Sequence, residues 1–191
     1  MFHRLFAIFS ICCAFAAPVH AETQNFQDVL SAATLDFNND AKQDRAVLVN
    51  NKDGDVDLYL YLSKEDPNSE PLLTLAEMKK SAAFSGLMWG QLPSLAVSGE
   101  GSLLIKSGNE SIGRDRWEQT LTLVYRNNEF LIAGITYAAR DTLDPKRASS
   151  CDINLLSGKG LRNGKPVDRK FTPIRLADWS DDKLPVERQP K

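Results

Sequence analysis

Residues 116–137 read RWEQTLTLVYRNNEFLIAGITY, and this stretch decides the fold. Polar and apolar side chains alternate through most of residues 116–126, and an apolar stretch follows at residues 130–137. Successive side chains of a strand point to opposite faces of a sheet, so the alternation predicts a strand with one buried face. The connecting residues Asn127, Asn128 and Glu129 are typical of a tight turn. We therefore predict a long antiparallel β-hairpin here.

Shorter strands are predicted on both sides of this hairpin, separated by turn residues. The predicted strands are residues 46–50, 57–62, 102–107 and 151–156, with residues 170–176 as a further candidate. Residues 72–84 are the best helix candidate, although residues 72–75 equally suit a strand. Residues 158–165 are rich in turn formers. The pattern predicts a mainly β protein: a single antiparallel β domain, meander-like or sandwich-like, with at most one short helix.

The first 21 residues have the pattern of an export signal. Arg4 precedes an apolar run of about 13 residues, too short for the ~20 that a membrane-spanning helix needs. Val19-His20-Ala21 then supplies the small-x-small pattern of a signal peptidase site. We expect a signal peptide over residues 1–21, a single β-rich domain over residues 22–177, a charged tail over residues 178–191 in which Trp179 is a candidate to dock, and no membrane span after processing.

Composition excludes several function classes. The chain has 23 basic and 25 acidic side chains, and loss of Arg4 with the leader leaves 22 against 25, a net charge of −3. Such a balance does not favour a nucleic-acid partner. Both histidines and two of the three cysteines lie in the leader, so the exported form has no histidine and only Cys151. This excludes histidine-dependent nucleophiles and zinc sites built from His and Cys. We expect Cys151 to be a buried apolar residue rather than a reactive thiol.

Residues 36–44, DFNNDAKQD, are the one motif with metal chemistry. Oxygen-bearing side chains occupy positions 1, 3, 5 and 9, and the backbone carbonyl of position 7 can add a ligand. Calcium takes six to eight oxygen ligands, which such a curled loop supplies. The alternative is a solvated acidic turn held by Asx-type hydrogen bonds. The candidate ligands are Asp36, Asn38, Asp40, Lys42 and Asp44.

This loop resembles the D-x-N-x-D-x-x-x-D loop of FG-GAP and VCBS-type repeats, which likewise runs into an apolar strand. The resemblance covers about residues 35–50 and implies calcium as the cofactor. Asn39 and Ala41 stand where those loops usually carry glycine; Asn tolerates left-handed backbone angles, whereas Ala costs about 1 kcal/mol or more there. One loop cannot build a propeller, so only the loop is carried over. Residues 53–57 repeat the first part of the spacing but have Tyr61 at position 9, which favours a hairpin turn.

Charged residues lie at the start of the first strand of the long predicted hairpin and just after its second strand. Because its two strands pair, these residues are expected to meet at one end of the sheet. They could clamp a carboxylate or phosphate ligand. The interpretation that we prefer is a network that ties loops to the sheet edge. The residues concerned are Arg114, Asp115, Arg116, Arg140 and Asp141.

The leading functional hypothesis is an exported β-rich binding or structural protein with a calcium-stabilised loop and an envelope protein or glycan as partner. The chain also resembles small exported proteins of Gram-negative bacteria in residues 111–117 and in residues 142–160, which implies the periplasm or secretion. One alternative is a histidine-free hydrolase of envelope glycans with acids drawn from Asp115, Asp141 and Asp152. Trp89 and Trp117 are candidates to line a sugar site, although such residues are more often core. Another alternative is an inhibitor or partner of an envelope enzyme.

Overall fold

The computed structural model describes residues 28–51, 54–64, 66, 68, 70, 72–86, 90–180 and 183. The predicted signal peptide and most of the predicted tail lie outside the described residues. The described part contains these strands: β1 (Val29–Leu35), β2 (Asp44–Asn50), β3 (Asp55–Ser63), β4 (Leu73–Phe84), β5 (Ser94–Val97), β6 (Leu103–Asn109), β7 (Asp115–Arg126), β8 (Glu129–Asp141), β9 (Ser149–Asn154), β10 (Lys159–Arg162), β11 (Lys165–Pro166) and β12 (Ile174–Arg175).

The strands form two antiparallel sheets, which confirms the predicted mainly β class. The smaller sheet has the order β1-β2-β3-β4, and the larger has the order β11-β10-β9-β8-β7-β6-β5, with β12 pairing with β8. Strands adjacent in sequence are adjacent in both sheets, as in a meander. Short 3-10 helices occur at Pro145–Arg147 and Leu176–Asp178. Within the described ranges, no helix has the length and apolar character needed to cross a membrane.

The two sheets share one hydrophobic core. Leu48 and Leu60 from the smaller sheet and Leu121 and Ile135 from the larger belong to a single cluster of buried side chains. Inward and outward side chains alternate along these strands, because the side-chain period of a strand is two. At one margin of the sandwich the sheets are also joined by a hydrogen bond, in which the backbone N–H of Leu95 in β5 donates to the Ser31 hydroxyl in β1 at 2.9 Å.

The long hairpin forms as the alternation predicts. β7 and β8 pair in a register that runs from Asp115 opposite Asp141 to Arg126 opposite Glu129. A bulge follows Thr122. Asn127 and Asn128 both have positive φ angles, 53° and 62°, as expected for a two-residue hairpin turn.

The predicted helix over residues 72–84 is wrong, because all of these residues but the first form β4. They pair with β3, whose outer edge would otherwise leave its backbone groups unpaired. The segment is rich in helix-forming residues such as Ala76, Glu77 and Lys79, but tertiary pairing overrides intrinsic propensity. The β3–β4 register shifts twice, and the bulges disrupt the period-two pattern that would have identified a strand.

Other boundaries differ from the sequence predictions. The strand expected at residues 151–156 is Ser149–Asn154, and the candidate at residues 170–176 shrinks to Ile174–Arg175. The turn-rich residues 158–165 include the β10–β11 hairpin, whose Asn-Gly turn at residues 163–164 has positive φ at both positions. The early part of the predicted tail is not loose, since Trp179 is only 3% exposed and packs in the core.

Candidate functional site

The candidate calcium loop, residues 36–44, connects β1 to β2 at the edge of the smaller sheet. Its backbone places Asn39 (φ 60°) and Ala41 (φ 64°) in the left-handed region. That region favours glycine; Asn tolerates it, and Ala is disfavoured there by about 1 kcal/mol. These are the two positions where the repeats that the loop resembles usually carry glycine. The loop therefore adopts the backbone that glycine would permit, without the glycines.

The side chains of the loop turn inward onto its own backbone amides. Asp36 accepts hydrogen bonds from the N–H of Asp40 at 3.2 Å and from that of Ala41 at 2.8 Å. The Oδ1 atom of Asn38 also accepts from the Asp40 N–H, at 3.2 Å. The Asp40 carboxylate accepts from the Lys42 N–H at 2.8 Å. The result is a curled loop in which successive Asx-type hydrogen bonds hold the oxygens close to the chain.

Asp44 fixes the loop to the sheet. This residue is fully buried, and its Oδ2 atom accepts from the N–H of Phe37 at 2.8 Å. Its Oδ1 atom accepts from the N–H of Ser63, at the end of β3, also at 2.8 Å. Lys42 adds a second tether because its Nζ atom donates to the carbonyl of Lys64 at 3.0 Å. The two ends of the loop are therefore held at a defined separation.

The loop contains the kind of oxygen atoms that bind a hard cation. Carboxylate, amide and carbonyl oxygens are the ligands that calcium prefers, and an oxygen that accepts one N–H retains a lone pair. The present side-chain positions are not those of a formed site. Among the described residues, no group of three or more Asp, Glu, His or Cys side chains is arranged to hold a metal ion. Metal binding would require Asp36, Asn38 and Asp40 to turn from backbone amides toward one centre.

The predicted juxtaposition at the end of the hairpin is present. The guanidinium of Arg114 makes two contacts with the Asp141 carboxylate, at 2.6 and 3.0 Å. Arg147 contacts the same carboxylate at 3.0 Å, and the backbone N–H groups of Leu143 and Asp144 donate to it. The hydrogen bond from Arg114 is the main reason why the pKa of Asp141 falls to about 2. Asp141 thus organises the turn that follows β8.

The other arginines of this cluster lie on the outer face of the larger sheet. Arg140 pairs with both carboxylate oxygens of Glu110. Arg116 lies opposite Arg140 in the β7–β8 register, and its NH1 atom is buried without a hydrogen-bond partner. Asp115 is exposed, and its backbone carbonyl accepts from Asn109 at 3.0 Å. The ion pairs tie the loops on either side of the hairpin together, which agrees with the interpretation preferred from the sequence.

The three acids considered for hydrolysis are not arranged as a matched pair. Asp141 has a completely buried side chain held by arginines, so at neutral pH it has no proton to donate. Asp152 lies opposite Thr136, five residues along β8 from Asp141, which corresponds to about 17 Å along a strand. Paired carboxylates in glycoside hydrolysis are separated by roughly 5–10 Å. Asp115 lies directly opposite Asp141 in the β7–β8 register. It is therefore also about 17 Å from Asp152 along the strand direction.

The hairpin predicted around residues 51–54 is present between β2 and β3. Asp57, however, is not a turn residue. It is a buried member of β3 whose Oδ1 atom accepts from the side-chain amide of Asn51 at 2.9 Å and from the N–H of Ser81 at 3.0 Å. Ser81 has a positive φ of 50°, and no sequence motif includes it. A lone serine within a segment that resembles a helix gives no signal of such a bulge.

Cys151 is buried, as predicted, at 4% exposure. It forms no disulfide in the described part of the chain. Burial raises the pKa of its thiol above the ordinary value, which disfavours the reactive thiolate. The residue therefore packs as a small apolar side chain in β9.

In comparisons with known proteins, the chain matches no family model, no curated protein and no solved structure.

Proposed function

We propose that this chain is an exported β-rich binding or structural protein whose β1–β2 loop is an FG-GAP-like calcium loop that stabilises the fold. The observation that carries the proposal is the left-handed backbone at Asn39 and Ala41, the positions of glycine in such loops. The ligands are the side chains of Asp36, Asn38, Asp40 and Asp44 together with the backbone carbonyl of Lys42. The metal has a structural role, and the partner is an envelope protein or a glycan.

The position of the loop explains how a cation would stabilise the protein. Three carboxylates curl into nine residues, and their mutual repulsion opposes folding unless a cation offsets it. Asp44 links the loop to β3 through Ser63, and Phe37 within the loop is buried in the shared core. A cation that tightens the loop therefore supports contacts in both sheets. Because the bound state forms only in the folded chain, binding stabilises it by RT ln(1 + [L]/Kd).

The alternatives receive less support from the geometry. A glycan hydrolase acting through Asp115, Asp141 and Asp152 is disfavoured, because Asp152 lies about 17 Å along the sheet from the other two acids and Arg114 holds Asp141 in its ionised form. An inhibitor or partner of an envelope enzyme would use exposed loops such as residues 108–115. There Arg140 already holds Glu110, so the loop is fixed by the protein itself.

The test is a thermal melt of residues 22–191, recorded in chelator and at calcium concentrations up to about 10 mM, which covers the weakest sites that use this chemistry. At a hundredfold excess over Kd, binding adds about 2.7 kcal/mol, or roughly 5–10 °C in Tm for a domain of this size. Magnesium should give a smaller shift, because it demands near-ideal octahedral geometry. An identical melt in chelator and in calcium would refute the calcium proposal.

Two variants locate the effect. Asp40→Ala should abolish the calcium-dependent rise in Tm while leaving a folded protein, because the core strands do not depend on this side chain. Glu100→Ala, which removes an exposed acid from the β5–β6 turn, is the matched control and should retain the full response. A calcium response that survives in Asp40→Ala would place the ion elsewhere.

The export part of the proposal has its own readout. Intact-mass measurement of protein recovered from the periplasm should show a chain that begins at Glu22. Recovery of the chain with its leader attached would contradict the assignment of the compartment.

A further inference from the structure

A partly enclosed cavity of about 300 Å³ lies where β3 and β4 of the smaller sheet approach β6 and β7 of the larger. It is at the start of β3, whereas the calcium loop contacts the end of that strand, eight residues or about 27 Å away. The two sites are therefore separate. Besides two alanines, the cavity is lined by Asp55, Ser81, Phe84, Ser107, Trp117 and Gln119.

The polar wall of the cavity is held in place by a β-bulge. Ser81 adopts a φ of 50°, in the region that non-glycine residues rarely occupy. Its N–H donates to the buried Asp57 at 3.0 Å, and its hydroxyl donates to Oδ2 of Asp55 at 2.9 Å. Asp57 also binds Asn51, and the backbone N–H of Asp55 donates to the Asn51 side chain at 3.0 Å. These contacts fix the Asp55 carboxylate and the Ser81 hydroxyl before any ligand arrives.

The apolar wall is a fixed aromatic group. The ring of Trp117 stacks on Tyr137, with centroids 6.2 Å apart and planes inclined by 24°. Phe84 packs against Trp117 at 5.7 Å with an inclination of 57°. Tyr137 is buried in the core, so one face of the Trp117 indole packs against a fixed ring. Such packing leaves the tryptophan little rotational freedom to lose on binding.

The chemistry of the lining identifies the class of ligand. Among the described residues, the cavity wall includes no Lys or Arg, so it offers no counter-charge to a phosphate or carboxylate. Its carboxylate, amide and two hydroxyls are the hydrogen-bonding groups that several hydroxyls of one ligand can satisfy together. An aromatic ring beside them suits a ligand that also has an apolar face. The volume is at the lower end of the range of about 300–1,000 Å³ that is typical of small-molecule sites, which suits one ring.

We propose that this cavity binds a neutral polyhydroxylated ligand, a single saccharide unit, with the ring against Trp117 and hydroxyls on Asp55, Gln119 and Ser107. An organic cation is the competing ligand, because aromatic rings and a carboxylate also bind ammonium groups. The number of neutral hydrogen-bonding groups favours the saccharide, because a quaternary ammonium has no hydroxyl with which to exchange hydrogen bonds with them. The site extends the proposed binding role and does not depend on calcium.

The test is a titration of ¹⁵N-labelled residues 22–191, followed by amide and indole NMR resonances. The probes are glucose, galactose and N-acetylglucosamine, each up to about 50 mM, roughly fifty times a millimolar Kd. At least one sugar should shift the Trp117 indole and the amides of Ser81 and Ser107 in a saturable way. Asp40, in the calcium loop, should not respond. The absence of shifts at Trp117 with all three sugars would overturn the proposal.

Variants and a second probe separate the remaining outcomes. Gln119→Leu should weaken sugar binding at least tenfold, whereas Thr120→Val, the next residue on the opposite face of β7, should bind as the parent does. If Gln119→Leu does not fold, Asp55→Asn keeps the shape of the side chain and should weaken sugar binding at least threefold. Equal sugar affinity in the folded cavity variants and the parent would overturn the proposal. So would saturable binding of tetramethylammonium that Asp55→Asn abolishes, since that result identifies a cation site.

Discussion

Phe37 and Phe130 pack edge to face, with ring centroids 5.1 Å apart and planes at 88°. Phe37 belongs to the candidate calcium loop, and Phe130 is the second residue of β8, next to the turn of the long hairpin. Phe130 also contacts Tyr125 across that turn, at 4.7 Å. An edge-to-face pair of this kind is worth about 0.5–1.5 kcal/mol beyond the area that it buries. This contact directly links the loop of the smaller sheet to the core of the larger one.

Phe37→Ala should therefore lower the free energy of unfolding by about 3–5 kcal/mol, the usual cost of removing a buried phenylalanine. Urea unfolding followed by circular dichroism measures the change. Leu143→Ala is the control, because Leu143 is 76% exposed and its loss should cost less than about 0.5 kcal/mol. A loss below about 1 kcal/mol in Phe37→Ala would mean that the loop does not support the core.

The parts of the fold that were predicted from sequence have patterns that are complete within one segment. In the β7–β8 hairpin, alternation and an Asn-Asn turn occur together, and from their pairing Arg114 could be placed beside Asp141. β4 was not recognised because its bulges interrupt the alternation and its composition favours a helix. Strands β1 and β5 lie where the two sheets meet. They could not be predicted from sequence, because the contact between them joins residues that are far apart in the chain.

The same distinction applies to the candidate sites. The calcium loop is contiguous, so its spacing is visible in the sequence. The cavity draws its residues from four strands of two sheets, among them Asp55 and Trp117, which are 62 positions apart. The shape of the cavity also depends on the left-handed backbone of Ser81, a conformation that a serine in the sequence does not predict. Only packing brings these groups together.

The ion pair at Asp141 predicts how stability depends on pH. Its pKa lies at about 2 in the folded protein, below the ordinary 3.8, chiefly because Arg114 donates to it. A carboxyl that is more acidic when folded contributes stability above its unfolded pKa and loses that contribution as pH falls through the folded pKa. This contribution should therefore disappear as pH falls from about 4 to about 2. Urea midpoints measured across this range follow the loss.

Arg114→Gln tests the cause of that shift. Without the guanidinium, burial still disfavours the charged carboxylate, so the pKa of Asp141 should rise and the loss of stability should begin at higher pH. NMR titration of the Asp141 carboxyl carbon measures the pKa directly. Arg140→Gln is the matched control, because Arg140 pairs with Glu110 instead. If both variants titrate Asp141 alike, Arg114 is not the source of the low pKa.

Trp179 should stabilise the fold although it lies outside the strands, after β12. The 3-10 helix Leu176–Asp178 brings Trp179 and Leu176 into the core, and Lys79 in β4 donates from Nζ to the carbonyl of Ala177 at 3.1 Å. Trp179→Ala should cost about 3–5 kcal/mol in urea unfolding. Lys183→Ala, which alters an exposed residue nearby, should cost less than about 0.5 kcal/mol. Equal stability of the two variants would show that the segment is not part of the core.

The strain at Ala41 gives a prediction of the opposite sign. Its φ of 64° is disfavoured for alanine by about 1 kcal/mol, and glycine adopts it freely. Ala41→Gly should therefore raise the free energy of unfolding by up to about 1 kcal/mol, less a few tenths because glycine makes the unfolded chain more flexible. Its N–H still donates to Asp36, so the loop hydrogen bond is kept. If the loop binds calcium, the relaxed backbone should also lower the concentration that half-saturates the rise in Tm.

Two control variants make this prediction specific to the backbone angle. Asn39→Gly also occupies a left-handed position, at φ 60°, but Asn tolerates that region, so its gain should be smaller. Ala32→Gly changes an exposed alanine within β1 and should lower the free energy of unfolding by about 0.5–1 kcal/mol. The reason is that a glycine within a strand relieves no backbone strain and makes the unfolded chain more flexible. From the most to the least stable, the expected order is Ala41→Gly, Asn39→Gly and Ala32→Gly. Urea unfolding in chelator measures the free energy of unfolding of each variant. If Ala41→Gly destabilises as much as Ala32→Gly does, the backbone of the loop is not strained at Ala41 and its likeness to a glycine-containing calcium loop is lost.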